Sequence, residues 1–207
     1  MIKSIGPHKV TNASIEDPIL DDLLGLDKID ILYSDPPWGD GNMKYWVTMN
    51  KKMTGKIYSP LTFQSLLDRI FNIVENHVSG YVCLETGLRW EQKLIDEMKK
   101  HGMHHIKSFR LKYKSGSKFI DNVMVVCGTD EQYEFPFTGY NELYNYYGKD
   151  LVTFVISKLP GNIVMDPCCG MGYTAYAAVN NGKVFYGNEF NSKRLSKTIA
   201  ILESSLK

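Results

Sequence analysis

Ile163-Val164-Met165-Asp166-Pro167-Cys168-Cys169-Gly170-Met171-Gly172 is the stretch that decides the fold. Its three apolar residues read as a short buried strand, and Asp166-Pro167 ends it because proline cannot continue a hydrogen-bonded ladder. Gly170 and Gly172 then allow a tight turn and a close approach of ligand to backbone. Thr174 to Asn180 reads as a helix closed by Gly182. Val184-Phe185-Tyr186-Gly187 is the next strand, followed by Asn188-Glu189, and Ser192 to Leu206 is a final helix. Glu189 lies 17 residues beyond Gly172, the distance expected when one helix and one strand intervene. A carboxylate there can accept hydrogen bonds from both hydroxyls of a ribose, so the unit suits a nucleoside-containing cofactor. The third position of the dinucleotide fingerprint is Ala175, which that fingerprint tolerates, so nicotinamide cofactors and S-adenosylmethionine both stay open at this point.

Upstream, Ile29 to Tyr33 is a second buried strand, and it stops at Asp35-Pro36-Pro37-Trp38. Ligands of open α/β sheets bind beyond the carboxyl ends of strands, so both motifs are expected on one crevice. The composition suggests a chemistry. An amine on an aromatic base is a poor nucleophile because its lone pair is delocalised into the ring. The Asp35 carboxylate and the Pro36 carbonyl could each accept one amino hydrogen and favour a localised lone pair. Pro36-Pro37 holds the geometry, and Trp38 offers a flat face to a base taken out of its stack. Taken singly, either motif could be an ordinary turn; their pairing is the informative feature.

Between and around these motifs the chain alternates. The first 28 residues are polar and mixed, with a short helix expected near Pro18 to Leu26. Residues 39 to 60 show no periodicity and read as a long loop of the kind that carries function. Leu61 to Val78 is a helix with Thr62 as N-cap, Tyr81 to Leu84 a strand, and Arg89 to His101 a helix. His105 to Lys114 and Asn122 to Cys127 flank Ser115-Gly116-Ser117 as a hairpin with a loose tip. Glu142 to Leu159 reads as helical. The expected architecture is α/β, a mostly parallel doubly wound sheet with one antiparallel edge hairpin.

Composition agrees with one domain spanning residues 1–207. The chain has 207 residues with 43% hydrophobic and 23% charged, as soluble globular proteins do. Its net charge of +1 excludes a nucleic-acid coat held by its own field but leaves room for a local basic patch. No apolar run reaches the roughly 20 residues of a membrane helix, and the N-terminal residues lack a signal-peptide pattern. Cys83, Cys127, Cys168 and Cys169 show no CxxC spacing and read as reduced thiols. His101, His104 and His105 have no suitably spaced acidic or thiol partner, so no metal site is expected. Lys44, Tyr45 and Trp46, with Lys51, Lys52 and Lys56, interleave cations and aromatics beside the catalytic motif and suit phosphate contact and base stacking. Arg110, Lys112, Lys114 and Lys118 form a weaker patch that reads as a solvated edge, and Tyr140, Tyr144, Tyr146 and Tyr147 read as helix packing.

Asp35-Pro36-Pro37-Trp38 resembles the D-P-P-[YW] motif of amino-directed nucleic-acid methyltransferases, and Ile163 to Arg194 resembles the cofactor half of the same family. Catalytic motif first and cofactor motif last is the order of the DNA methyltransferase subgroup called beta. The resemblance covers roughly residues 29 to 195 and implies a class I Rossmann-like methyltransferase fold using S-adenosyl-L-methionine. By it, Asp35, Pro36, Pro37 and Trp38 would be catalytic. Asp166, Pro167, Cys168, Gly170, Gly172, Glu189 and Asn191 would hold the cofactor, and Trp38, Lys44, Tyr45 and Trp46 the substrate. It implies N(6)-adenine methylation in DNA; RNA adenosine, N(4)-cytosine and a non-catalytic nucleic-acid-binding subunit stay open. Cys168 stands where phenylalanine is usual, Asn188 where an apolar residue is usual, and no segment is long enough for a separate target-recognition domain. Target reading would then fall to residues 39 to 60, the hairpin, a homodimer mate or a partner subunit. A cytoplasmic protein of bacterial or phage origin is the expected setting.

Overall fold

The computed structural model describes residues 1–56 and 61–207. Its elements are β1 (Ile2–Ile5), β2 (His8–Thr11), α1 (Ile19–Leu24), β3 (Ile29–Ser34), α2 (Gly39–Thr54), α3 (Phe63–His77), β4 (Val78–Gly87) and α4 (Glu91–Lys100). They continue with β5 (His104–Ser115), β6 (Lys118–Gly128), α5 (Gly148–Lys158), β7 (Ile163–Asp166), α6 (Tyr173–Asn180), β8 (Val184–Asn188) and α7 (Ser192–Ser204). The strands form one sheet in the order β1-β2-β8-β7-β3-β4-β6-β5. Pairings from β2 through β4 are parallel, while β1–β2, β4–β6 and β6–β5 are antiparallel.

Side-chain alternation sorts the strands onto two cores. Ile31 and Tyr33 of β3 join Cys83, Val164 and the buried faces of α5, α6 and α7. Ile29 and Leu32 join Val82, Met165 and residues of α1, α3 and α4 on the other face. The sheet is therefore doubly wound, as expected.

Four expectations need correction. The polar N-terminal segment, where only a short helix is expected, also holds β1 and β2, which form a second edge hairpin with β2 parallel to β8. Lys9 and Tyr186 both reach Asp27 Oδ2, at 2.7 and 2.6 Å, which locks that hairpin to the loop before β3. The hairpin of β5 and β6 has a tight tip, because Ser115 pairs with Lys118 across a two-residue turn at Gly116-Ser117. Residues 142–145 are turns and α5 starts only at Gly148, after extended Tyr147; Tyr144 lies against Arg110 and Lys112 of β5, while Tyr146 stacks on Phe154 of α5.

The largest correction is α2, which replaces most of the expected loop at 39–60; residues 57–60 lie outside the described residues. Its inward side carries Gly39, Met43, Trp46, Val47, Asn50 and Met53, spacing that is helical but chemically mixed. A glycine and an asparagine on the buried side hid the period from a hydrophobicity reading.

Helix α3 shows the opposite case. Thr62 accepts from the Ser65 backbone N–H and Ser65 Oγ accepts from the Thr62 N–H, a complete capping box. Thr62→Ala is expected to lower unfolding free energy by about 1 kcal/mol in urea titration. An unchanged midpoint would show that the cap contributes nothing to α3.

Candidate active site

The carboxyl ends of β3, β4, β7 and β8 open into one crevice with a cavity of about 810 Å³, within the range that holds a cofactor-sized molecule. Asp35, Pro36, Pro37 and Trp38 line it from β3, and Asp166 to Gly170 line it from β7. Glu85 closes it from β4, Glu189 and Asn191 from the end of β8, and α2 forms its far wall.

At the β3 end, the Trp38 indole N–H donates to Asp35 Oδ1 at 2.9 Å. This bond takes up one oxygen of a carboxylate that lines the cavity. Gly87 at the end of β4 makes room for the indole, since a Cβ there would sit 3.2 Å from Trp38 Cε3. Tyr113 of β5 meets Trp38 edge-on with ring centroids 6.2 Å apart. The hairpin thus leans over the crevice, and Lys112 and Lys114 join Tyr113 in its lining rather than forming a remote solvated edge.

Glu85 went unrecognised in the sequence. Ser34 pairs with Leu84 in the β3–β4 register, so Asp35 and Glu85 are the next residues on adjacent parallel strands, which run about 4.8 Å apart. Glu85 is buried and accepts from Tyr33 Oη at 2.7 Å and from Asn122 Nδ2 at 3.3 Å. Burial raises its pKa above the usual carboxylate range, against the pull of those two donors. Burial and the neighbouring Glu85 push Asp35 upward as well, opposed by Trp38 and Arg194. Asp35 is nonetheless open to the cavity, so water in the crevice works against that rise, and a ligand that displaces the water strengthens it.

Asp166 is buried and organises the glycine turn. Its Oδ1 accepts from Ser34 Oγ (2.8 Å) and the Cys168 N–H (3.0 Å), and its Oδ2 from Thr174 Oγ1 (2.6 Å). Gly172 then takes φ +83° as the cap of α6, and a Cβ there would lie 2.8 Å from Thr198 Oγ1, so the turn and its packing on α7 both require glycine.

Glu189 is held by backbone on both oxygens. Oε2 accepts from Gly170 N–H and Oε1 from Asn191 N–H, each at 2.7 Å. Each oxygen keeps a second lone pair for a ligand. Asn191 also caps α7 by accepting from the Lys193 and Arg194 N–H groups. The two departures from the family pattern have local explanations. Asn188 bonds the Pro167 carbonyl and the Ala13 N–H, at 3.2 Å each, joining β8 to the glycine turn and to the segment after β2. Cys168 is part-buried in the crevice lining, and burial beside Asp166 raises its thiol pKa well above normal, so it stays protonated.

No protein-family model and no curated protein sequence matches the chain. Solved structures do match. M1.HpyAVI superposes with a TM-score of 0.66 at 17% identity, covering 93% of this chain and 97% of that one, and its SAM complex gives 0.67 at 16%. TTHA0409 from Thermus thermophilus, complexed with S-adenosyl-L-methionine, gives 0.63 at 13%, covering 96% of this chain and 94% of that one. The cytosine-N4-specific PvuII DNA methyltransferase gives 0.64 at 12%, covering 94% of this chain and 86% of that one. The chain has the class I methyltransferase fold.

Within that fold, the expected catalytic positions and Asp166, Pro167, Cys168, Gly170, Glu189 and Asn191 converge on one crevice, while Gly172 lies behind the lining as the α6 cap packed on α7; Trp46 lines the crevice from α2 with the Arg194 guanidinium 3.9 Å above its ring. Lys44 and Tyr45 do not converge; they point away from it on the exposed side of α2. Among the described residues no group of three or more His, Cys, Asp or Glu could hold a metal ion, and His101 instead pairs with Glu75 at 2.6 Å and stacks on Phe71. No helix of the described residues is long and apolar enough to cross a membrane.

Burial sets the Asp166 pKa at about 7. An unfolded aspartate ionises near about 3.9, so between about 4 and 7 the native state holds a proton that the unfolded state has lost. Stability is therefore expected to fall as pH rises through that window, and Asp166→Asn to flatten the fall. Melting temperature against pH for both proteins checks this; identical slopes would contradict it.

Proposed function

We propose that this chain is an S-adenosyl-L-methionine-dependent methyltransferase that modifies the exocyclic amino group of a nucleic-acid base, N(6) of adenine in DNA. The observation that carries the reading is the convergence of Asp35-Pro36-Pro37-Trp38 with Asp166, Gly170 and Glu189 on one cavity of about 810 Å³. The neighbours solved with S-adenosyl-L-methionine support the cofactor. The residues fit it: the Glu189 carboxylate suits ribose hydroxyls, and the glycine turn leaves room beside its backbone.

When bound, the cofactor supplies an electrophilic methyl group on a positively charged sulfur. Asp35 and the Pro36 carbonyl then accept the two amino hydrogens of the base, which localises the nitrogen lone pair for in-line attack. Asp35, or water beside it, would take the surplus amino proton as that nitrogen accepts the methyl, the carbon–sulfur bonding electrons staying on sulfur. Trp38, fixed by its N–H bond to Asp35, supports the extracted base, and no metal or covalent enzyme intermediate is required. Lys112 and Lys114 on the hairpin and Lys149 of α5 place cations at the crevice for phosphates. The whole of residues 1–207 acts as one catalytic unit, with target reading by the hairpin, a second copy or a partner subunit.

N(4) of cytosine is the second reading, favoured by the likeness to the cytosine-N4-specific PvuII enzyme; adenine is preferred because the motif begins with Asp rather than Ser. Incubation with methyl-labelled S-adenosyl-L-methionine and mixed DNA and RNA, followed by mass spectrometry of nucleosides, separates them. N(6)-methyladenine from DNA is expected, N(4)-methylcytosine would replace the adenine assignment, and no product would overturn the enzyme. Asp35→Ala is expected to reduce turnover by at least about a thousandfold with cofactor affinity retained. Turnover in wild type should rise with pH through neutrality, as the raised pKa of Asp35 requires for its ionised form.

A further inference from the structure

Helix α2 carries a feature that neither its packing nor the proposed chemistry uses. Asn50 is 3% exposed, it lines the crevice, and neither its Oδ1 nor its Nδ2 has a hydrogen-bond partner among the described residues. A buried carboxamide without partners is rare, because each of its polar atoms gives up water for nothing in return. Asparagine is also a weaker helix former than leucine or methionine. The position therefore opposes both helix formation and burial, the pattern expected where a residue is kept for a ligand.

Its place in the crevice says which ligand. Met53 lies one turn further along α2, and its Sδ accepts from Asn191 Nδ2 at 3.6 Å. The Asn191 N–H in turn donates to Glu189, the ribose acceptor of the proposed function. Asn50 thus stands on the α2 side of the crevice, across from Glu189, and Ile15, Val47 and Phe190 line the same cavity with apolar surface suited to a flat ring. A carboxamide offers one donor and one acceptor side by side, the complement of the amino group and adjacent ring nitrogen of adenine.

We propose that Asn50 is the residue that binds the adenine edge of the methyl donor, resting on the cofactor reading above. Helix α2 then links the two halves of the crevice, following Trp38 at the base end and placing Asn50 at the nucleoside end.

The test measures S-adenosylhomocysteine and free adenosine binding by calorimetry in wild type and Asn50→Leu, together with the melting temperature of each without ligand. The account expects opposite signs: Asn50→Leu melts at or above wild type, because the unpartnered amide is gone, while both ligands bind about tenfold more weakly. Asn50→Ser, smaller and still polar, is expected to weaken both ligands similarly and serves if the leucine variant fails to fold. Unchanged affinity in a folded variant would overturn the proposal. So would intact binding of both ligands with a raised KM for nucleic acid, which would give Asn50 to the target base. Failure of wild type to bind either ligand would instead overturn the cofactor reading itself.

Discussion

Four carboxylates, Asp35, Glu85, Asp166 and Glu189, line one edge of one sheet, and the surrounding structure is organised around making that tolerable. Like charges in a low-dielectric crevice repel and lose hydration together. Each is met by donors from a different part of the chain. Trp38 serves Asp35, Tyr33 and Asn122 serve Glu85, and Ser34, Thr174 and the Cys168 N–H serve Asp166. Backbone N–H groups of Gly170 and Asn191 hold Glu189. Burial raises the pKa of both Asp35 and Glu189, and the charge of Arg194, stacked on Trp46, opposes that rise at each. A cationic ligand in the same crevice would add to that relief, which fits a sulfonium methyl donor.

The same arrangement reconciles a net charge of +1 with the proposed work on nucleic acid. The acids sit on the floor, while Lys112, Lys114 and Lys149 line the crevice from the hairpin and α5. Exposed Tyr113, Phe119 and Ile120 flank these lysines on the hairpin, with Lys112 over the Phe119 ring at 5.2 Å. Near-neutrality is a sum over a divided surface, so it said little about partners.

What could be read in the sequence was whatever is local. The strands ended by Asp35-Pro36 and Asp166-Pro167, the Thr62 cap and the glycine turn each depend on a few neighbouring residues, and each stands where expected. What could not be read depends on distant partners. Glu85 looks like one polar residue in a strand until Tyr33 and Asn122 are brought to it from 52 and 37 residues away. The N-terminal hairpin looks polar because its support comes from β8, through Asn12 and Asn188. Helix α2 was hidden because Gly39 and Asn50 occupy its buried side, where a hydrophobic period would have shown. A hidden helix there coincides with a site residue, as expected where local preference yields to function.

The central claim is that one crevice holds the methyl donor with its reactive carbon turned toward Asp35. A crystal structure of the chain with S-adenosyl-L-methionine tests it most directly. The account predicts the ribose hydroxyls on Glu189 and the sulfonium methyl directed at the space between Asp35, the Pro36 carbonyl and Trp38. A cofactor bound elsewhere, or bound here with its methyl turned away from Asp35, would contradict it.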